Sequence, residues 1–212
     1  MQIVSVNIGR PQLVARGGRT YSTSINRHPV TGPVHVTLEG FENDRVSDRS
    51  VHGGPDKAIC CYSHEHYPFW QERLRHEMPV PSFGENLTTD GMLETDICIG
   101  DTYRIGSATV QVSQPRQPCA KLAGKHEEPR MIPWVWEEGF SGFYFRVLDT
   151  GAIGAGDAVE LVSRPHPDLS IVRMLRLKRD VQLSDDLRER LVNLPELAAS
   201  WRDAFRGKVM GE

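Results

Sequence analysis

The sequence lacks a long apolar run and a secretion signal. None of its apolar stretches reaches the roughly 20 residues that cross a bilayer, so no membrane span is expected. The first residues, M-Q-I-V-S-V-N-I-G, have neither a basic n-region nor a long apolar core. They favour a strand instead. These absences predict a cytoplasmic protein that makes no contact with a membrane.

Cysteine is scarce, and its spacing excludes the common frameworks. The chain has four cysteines, Cys60, Cys61, Cys98 and Cys119, and no C-x-x-C pair. Neighbouring Cys60 and Cys61 must point to opposite faces of any strand that holds them. Neither a disulfide framework nor a zinc ribbon is therefore expected. Reduced thiols agree with a cytoplasmic location.

Positive charge is not in excess either. The formal net charge is −3 and the isoelectric point is near 6.2, which argues against binding a nucleic-acid polymer through bulk charge. A small basic pocket remains compatible with this balance. With 212 residues and 39% apolar residues, the chain can form one large domain, or one domain plus a small one.

Strand patterns dominate the first 164 residues. Two Gly-Asp turns, at Gly100 and Gly156, each lead into an alternating strand, which is typical of a β-barrel or compact sandwich. Two helical insertions interrupt the strands, at residues 63–76 and at residues 119–139, the second broken at Pro129 and Pro133. The predicted strands are 3–8, 20–25, 34–38, 58–62, 97–99, 102–105, 108–113, 143–148 and 158–162.

Helical patterns replace the strand patterns after Pro165. Ser184 precedes two aspartates and predicts a helix N-cap, and Pro195 suits the first turn of another helix. The fold class predicted is therefore mainly β with α insertions. We divide the chain into a barrel-like domain over residues 1–164 and a small helical domain over residues 165–212.

Two local patterns each allow a functional and a structural interpretation. The segment G-A-I-G-A-G-D, residues 151–157, resembles a phosphate-binding loop, but a strand follows where a dinucleotide site needs a helix, so a tight barrel turn competes. His64 and His66 are spaced as metal ligands. Their place at the start of an amphipathic helix favours packing at an interface.

Two polar turns are candidates for a site. In V-H-G-G-P-D-K-A, three breakers lie between His52 and Lys57, and glycine permits close approach of the backbone to a ligand. The turn F-G-E-N-L, residues 83–87, places Asn86 between apolar residues. A plain solvated loop and a capped turn are the structural alternatives.

Cys119 ends the stiff segment Q-P-R-Q-P-C and lies outside the strand patterns that hold the other cysteines. Arg116 would lower the pKa of its thiol, as would the start of a helix after Pro118. A thiolate of low pKa is either a nucleophile or a ligand for a soft metal. A cysteine that merely fills a gap in a loop is the alternative.

V-H-G-G-P-D-K-A, F-G-E-N-L and V-S-Q-P-R-Q-P-C together resemble the MOSC domain family, named for the C-terminal domain of molybdenum-cofactor sulfurases. The stand-alone bacterial YiiM-like branch, which carries a short three-helix domain, is the most similar. The resemblance implies a β-barrel-like fold that binds a molybdopterin-type molybdenum cofactor. Pyridoxal phosphate binding is a further expectation at the family level.

The resemblance also implies an activity and a metal ligand. Relatives reduce N-hydroxylated small molecules, such as hydroxylaminopurine-type base analogues, with electrons from a separate flavin reductase. A cysteine at the position of Cys119 ligates the metal and is catalytic. Arg116 is assigned to the anionic part of the cofactor, where a guanidinium can hold a phosphate through two hydrogen bonds.

The other assignments follow from the same motifs. His52 and Lys57 are both candidates for cofactor contact or proton supply, and a histidine such as His52 suits the proton step. Asn86 and Ser113 are candidates for cofactor binding. Basic residues that would hold the pterin are not set by a motif, and Arg27, Arg45 and Arg49 are candidates because they flank the site segments. The helical tail is either a docking platform for the electron donor or a cover for the barrel.

Two other functions remain open on the residues alone. A carrier that holds the cofactor, or a sulfur group on Cys119, needs no complete acid–base set. A thiol hydrolase would use Cys119 with His52 and has only the residue types in its favour.

Overall fold

The computed structural model describes residues 1–16, 19–48, 52–179 and 182–207, so Arg49 lies outside the described residues. Most of its strands belong to one curled, mixed sheet that forms a half-barrel. The strands are β1 (Gln2–Ile8), β2 (Gln12–Arg16), β3 (Arg19–Thr23), β4 (His28–Pro29), β5 (Val34–Thr37), β6 (Gly40–Phe41), β7 (Ile59–Ser63), β8 (Leu87–Asp90), β9 (Thr102–Ile105), β10 (Ala108–Pro115), β11 (Phe143–Asp149), β12 (Gly151–Ile153) and β13 (Val159–Ser163).

Eight strands form the main sheet in the order β13-β9-β10-β11-β7-β8-β1-β4. β7 and β8 run parallel, whereas the other described neighbours in the sheet are antiparallel. The sheet curls until β1 meets the start of β13, where Ile3 N donates to Asp157 O at 2.9 Å and Val159 N donates to Met1 O at 3.0 Å. Strands β12, β5 and β6 form a smaller sheet, and β2 pairs with β3.

The central strands assign alternate residues to opposite faces. On β11, Phe143 and Phe145 are fully buried in the main hydrophobic cluster, and on β7 Ile59 and Cys61 join them. Tyr144 lies between the two phenylalanines and projects to the other face, as the period of two in a strand requires. The half-barrel therefore has a core on one face and leaves the opposite face of these strands for other contacts.

Three helices build a second hydrophobic cluster beside the sheet. They are α1 (Tyr67–Leu74), α2 (Ala120–His126) and α3 (Met131–Glu138). Tyr62 of β7 and Phe83 stack at 3.8 Å between ring centroids and join the strands to this cluster. Pro129 separates α2 from α3 as predicted. The predicted break at Pro133 is wrong, because this proline occupies the first turn of α3, where no intrahelical N–H bond is lost.

The C-terminal segment forms three helices, α4 (Ile171–Arg179), α5 (Asp185–Val192) and α6 (Ala199–Gly207). Their buried residues belong to the same hydrophobic cluster as the strands. Ser184 is the N-cap of α5 as predicted, since its Oγ accepts from Leu187 N at 3.4 Å. Pro195 is not in a helix, because α6 begins only at Ala199. The division at residue 164 stays a prediction.

Other elements depart from the sequence patterns in detail. The predicted strand at residues 97–99 is wrong: Cys98 makes an isolated bridge to Ser170 rather than a ladder. The strand predicted to reach residue 25 ends at Thr23. In the part of the chain that the structure describes, no helix has both the length and the apolar character needed to cross a membrane.

Candidate functional site

A cavity of about 620 Å³ lies against the face of β7 and β11 that does not pack into the core. Its walls come from segments within residues 23–27, 37–47, 52–60, 84–86 and 116–121, together with Tyr144. Five residues that the motifs indicated line it, together with the basic candidates Arg27 and Arg45; the five are His52, Lys57, Asn86, Arg116 and Cys119. The fold therefore gathers residues from three distant motifs into one cavity.

Cys119 is half-buried at the point where α2 begins. It has an extended backbone, with φ −123° and ψ 162°, and is the N-cap residue of that helix. Burial opposes ionisation of its thiol, but a hydrogen bond from His52, the charge of Arg116 and the N–H of Leu122 outweigh burial and lower its pKa to about 7. A large fraction of the thiol is consequently ionised at neutral pH.

Arg116 is buried beside Cys119, with a relative exposure of 6%. Its Nη2 donates to Phe83 O at 2.7 Å, and its backbone N donates to Gly142 O at 3.0 Å. Burial opposes the charge, yet the nearby Cys60 and Tyr144 raise the pKa of Arg116. The cavity therefore holds a permanent, oriented positive charge.

A second arginine, half-buried, lies on the same wall. Arg27 donates to both oxygens of Asp44, at 2.9 and 2.7 Å, and its Nη1 donates to Gly84 O at 2.5 Å. Burial opposes its charge, but the hydrogen bonds and charge of Asp44 raise its pKa. Arg45, another sequence candidate, is exposed and donates to Asp44 O at 2.7 Å.

The F-G-E-N-L turn holds both arginines in place. Its consecutive carbonyls, Phe83 O and Gly84 O, accept from Arg116 and Arg27 respectively. The turn is fixed by Glu85, a fully buried carboxylate that accepts from Phe83 N at 2.9 Å and from Thr88 Oγ1 at 3.0 Å. This turn is thus a scaffold for the cationic wall, a role that the sequence pattern did not indicate.

Cys60 and Tyr144 line the cavity although the sequence did not single them out. They are directly opposite each other on β7 and β11. Burial raises the pKa of the Cys60 thiol despite the positive charges of Arg116 and Arg27. Burial also raises the pKa of Tyr144. A signal for Cys60 was present in the sequence: of two adjacent cysteines on a strand, only one can face the core.

The remaining candidates differ in how they meet the cavity. Burial lowers the pKa of Lys57. Asn86 Oδ1 accepts from Cys60 N at 3.1 Å and its Nδ2 donates to Asn7 O at 3.3 Å, so this amide also fixes β7. Ser113 is buried and is not among the described residues that line the cavity. Its Oγ lies 2.6 Å from Asp56 O, behind the loop that carries Lys57.

The lining is rich in charge. It contains five basic and three acidic side chains. The basic ones are Arg27, Arg45, Lys57, Arg116 and Lys121, and the acidic ones are Glu39, Glu42 and Asp44. Ser24 also lines the cavity, and its Oγ is a buried hydroxyl without a hydrogen-bond partner among the described residues. Among the residues that the structure describes, no group of three or more His, Cys, Asp or Glu side chains could bind a metal ion.

The two ambiguous patterns take their structural interpretations. His66 is buried, with its Nε2 2.6 Å from Glu94 Oε2 and its ring stacked on Phe140. The glycine-rich segment forms β12 and a turn in which Gly154 N donates to Asp157 Oδ2 at 2.8 Å, and β13 follows. Packing and a tight turn account for these residues.

α2, the helix that begins at Cys119, is anchored at its other end by His126. The Nε2 of this histidine lies 2.9 Å from Ser82 O. Burial lowers its pKa to about 4, helped by the neighbouring charges of Lys125 and His76 and opposed by the bond to Ser82. In the unfolded chain the pKa of a histidine is about 6.5.

This difference predicts a pH dependence of stability. As the pH falls from about 6.5 to about 4, His126 becomes protonated in the unfolded chain but stays neutral in the folded protein. The stability that His126 contributes above pH 6.5 is therefore lost over this range. His126→Gln should flatten the dependence of unfolding free energy on pH in this window, as measured by urea titration. A variant that loses the same stability at every pH, with the slope unchanged, would contradict the assignment.

In a comparison with known protein families, the chain matches the MOSC domain over residues 48–160. The match spans the loop of His52 and Lys57, the F-G-E-N-L turn, and the segment from Arg116 to Cys119. It therefore contains each cavity residue that the motifs indicated.

Related proteins match along nearly the whole chain. YflK of Bacillus subtilis (strain 168) is 42% identical over 206 residues, covering 97% of this chain and 93% of YflK. YiiM of Escherichia coli (strain K12) is 34% identical and covers 93% of this chain and 88% of YiiM. A protein named "Reductase" from Gibberella moniliformis is 34% identical over 91% of this chain, which corresponds to 35% of that protein.

A solved structure has the same architecture. The crystal structure of YiiM from Geobacillus stearothermophilus superposes with a TM-score of 0.83 at 39% sequence identity, and each chain covers 98% of the other. The similarity extends over the half-barrel, the helical insertions and the C-terminal helices.

Proposed function

This chain belongs to the MOSC domain family, and from that membership we propose that it is a molybdenum-cofactor-dependent reductase of N-hydroxylated compounds. The observation that carries the proposal is the Cys119 thiol, half-buried at the cavity with its pKa lowered to about 7. A thiolate at neutral pH is a soft donor that suits a sulfur-rich molybdenum centre.

The donor set of the cavity fits an anionic cofactor. Basic side chains outnumber acidic ones in the lining, and hydrogen bonds hold two of them, Arg27 and Arg116, in fixed orientations. The buried Ser24 hydroxyl lacks a partner among the described residues. Gly54 has φ +83°, and a Cβ there would meet nothing within 4 Å, so the backbone is open to close approach.

Specific residues would hold the separate parts of this cofactor. Arg116 would bind its phosphate, because Phe83 O fixes one edge of the guanidinium and leaves a planar fork toward the cavity. Lys57 would add a second positive charge, and Asn86 a polar contact to the pterin or substrate. Cys119 would provide the thiolate ligand. When bound, the cofactor would supply the redox centre that exchanges two electrons with the substrate.

His52 would serve the proton step. Reduction of N–OH to N–H takes up two electrons and two protons and releases water. His52 is half-buried and hydrogen-bonded to Cys119, so it can give a proton to the departing hydroxyl and recover one from solvent. A flavin reductase is proposed as the separate source of electrons.

The relatives support the reaction class. The Gibberella moniliformis protein is named a reductase, and the segment that matches this chain is about a third of it. The N-hydroxylated substrate class follows from the family resemblance. A cofactor carrier without turnover would use the same cavity, and so turnover is the property that separates the two functions.

The test combines cofactor content with turnover. Protein produced in a host that synthesises the cofactor should contain molybdenum and pterin, and should reduce hydroxylaminopurine with a reduced flavin donor. Cys98→Ser, which changes a thiol outside the cavity, is the control and should match the wild type in cofactor content and turnover per folded molecule. Cofactor without turnover would favour the carrier, and protein that never retains molybdenum or pterin would refute the proposal.

A further inference from the structure

Residues 52–57, here termed the cavity loop, have two faces. His52, Gly53, Gly54 and Lys57 line the cavity, whereas Asp56 does not. Asp56 lies in the short 3-10 helix Pro55–Lys57 and points away from the cavity. The positions of Lys57 and His52 therefore depend on the contacts that the cavity loop makes on its side away from the cavity.

Asp56 is bound there through three different atoms. Its Oδ1 accepts from Arg146 Nη2 at 2.8 Å, in an ion pair whose side chains are 33% and 18% exposed. Its Oδ2 accepts from Ala199 N at 3.0 Å. Its backbone O lies 2.6 Å from Ser113 Oγ. One residue thus joins the cavity loop to β10, β11 and α6.

The contacts at α6 extend beyond this single bond. Arg146 Nη1 donates to Pro195 O at 3.1 Å, and Ala198 N donates to Ser113 O at 2.9 Å. Ser200 Oγ lies 3.3 Å from Gln114 Oε1. The segment before α6 is therefore fixed to the same strands that fix Asp56, and the loop and the helix share one polar junction.

We propose that Asp56 is a positioning residue through which the C-terminal helices hold the cavity loop, so that the helical segment is part of the site rather than only a cover. Charge-assisted hydrogen bonds are strong and directional, and two of them on the Asp56 carboxylate, with the Ser113 bond to its backbone O, leave the loop little freedom. The consequence for cofactor binding rests on the proposed function. The link between Asp56, the cavity loop and α6 is independent of that function.

Hydrogen exchange followed by mass spectrometry tests the link in protein without cofactor. In Asp56→Ala, peptides covering residues 52–58 and 195–202 should both exchange on the order of tenfold faster, the change expected when a bond to a charged group is lost. Asp56→Asn, a milder variant that still offers an acceptor to Ala199 N, should show an intermediate effect. Arg146→Lys should preserve most of the protection, and Arg146→Gln should not.

Asp168→Asn is the matched control. Asp168 accepts from Arg190 at 2.7 and 2.9 Å, so this variant also removes an ion pair of the helical segment, but one that does not touch the cavity loop. Its exchange should rise near residues 166–190 and stay unchanged at residues 52–58. Equal loosening of the cavity loop in both variants, or none in Asp56→Ala, would overturn the proposal.

Cofactor content gives the functional arm. Pterin per folded molecule should fall on the order of tenfold in Asp56→Ala and remain at the wild-type level in Asp168→Asn. Unchanged content in Asp56→Ala would show that the loop does not need this junction. A wild-type protein without pterin would refute the proposed function instead, and the exchange results would then decide the link by themselves.

Discussion

Cys119→Ser should abolish molybdenum-dependent turnover and leave the fold intact. The substitution removes the soft donor at the cavity while changing the side-chain volume little. It should not weaken α2, because Cys119 occupies the N-cap position with an extended backbone, and serine is among the preferred N-cap residues. Pterin should remain bound through Arg116 and its neighbours. Melting temperature and turnover per folded molecule measure the two effects separately.

The control for this variant is Cys61→Ser. Cys61 is fully buried in the main core, and a hydroxyl placed there should cost about 1–3 kcal/mol while the folded fraction stays active. Cys60→Ser would not serve as the control, because Cys60 lines the cavity and cannot separate stability from chemistry. Full turnover in Cys119→Ser would mean that the metal ligand is another residue, with Cys60 the next candidate.

Arg116→Ala should sharply reduce cofactor retention. The guanidinium is buried with its charge fixed toward the cavity, and loss of a hydrogen bond to a charged group costs about 1.5–3 kcal/mol, or roughly 10- to 100-fold in affinity. Arg116→Lys should recover only part of this loss, since an ammonium group lacks the planar fork. Pterin fluorescence and molybdenum content per folded protein provide the measurement.

Arg104→Ala serves as the reference for loss of one positive charge. Arg104 is exposed and lies 4.0 Å from Glu160, away from the cavity, so its removal should change neither retention nor stability much. If Arg116→Ala retained cofactor as well as Arg104→Ala does, the bond to Phe83 O would be the main role of Arg116. It would then be a structural residue of the F-G-E-N-L turn.

The long strands were predictable because their own residues determine them. β9 was predicted with its observed bounds, and β10 and β11 begin where the alternation begins. The short strands were missed for a physical reason. β4 and β6 have two residues each, too few for a period to show, and β8, L-T-T-D, is buried on both faces while carrying polar residues. Their pairing partners, rather than their own patterns, make them strands.

The site residues also divide into those that the local sequence indicates and those that only tertiary pairing brings to the cavity. Cys119 and Arg116 lie three residues apart in one stiff segment, so the sequence showed them together. Tyr144 reaches the cavity only because β11 pairs with β7, an association between residues more than 80 positions apart. Asp44 is equally invisible in the sequence, since its role is to hold the guanidinium of Arg27. Contacts of this kind follow from tertiary pairing and have no local signature.

The alternation on β7 and β11 has a consequence for how this protein can change. Ile59 and Phe145 lie on the core face, whereas Cys60 and Tyr144 lie on the cavity face. Because neither Cys60 nor Tyr144 belongs to the core cluster, an exchange at either position alters the cavity wall and leaves the core side chains of the two strands in place. Ligand preference can therefore drift during evolution, or be redesigned by saturating these two positions, without compensating mutations in the core.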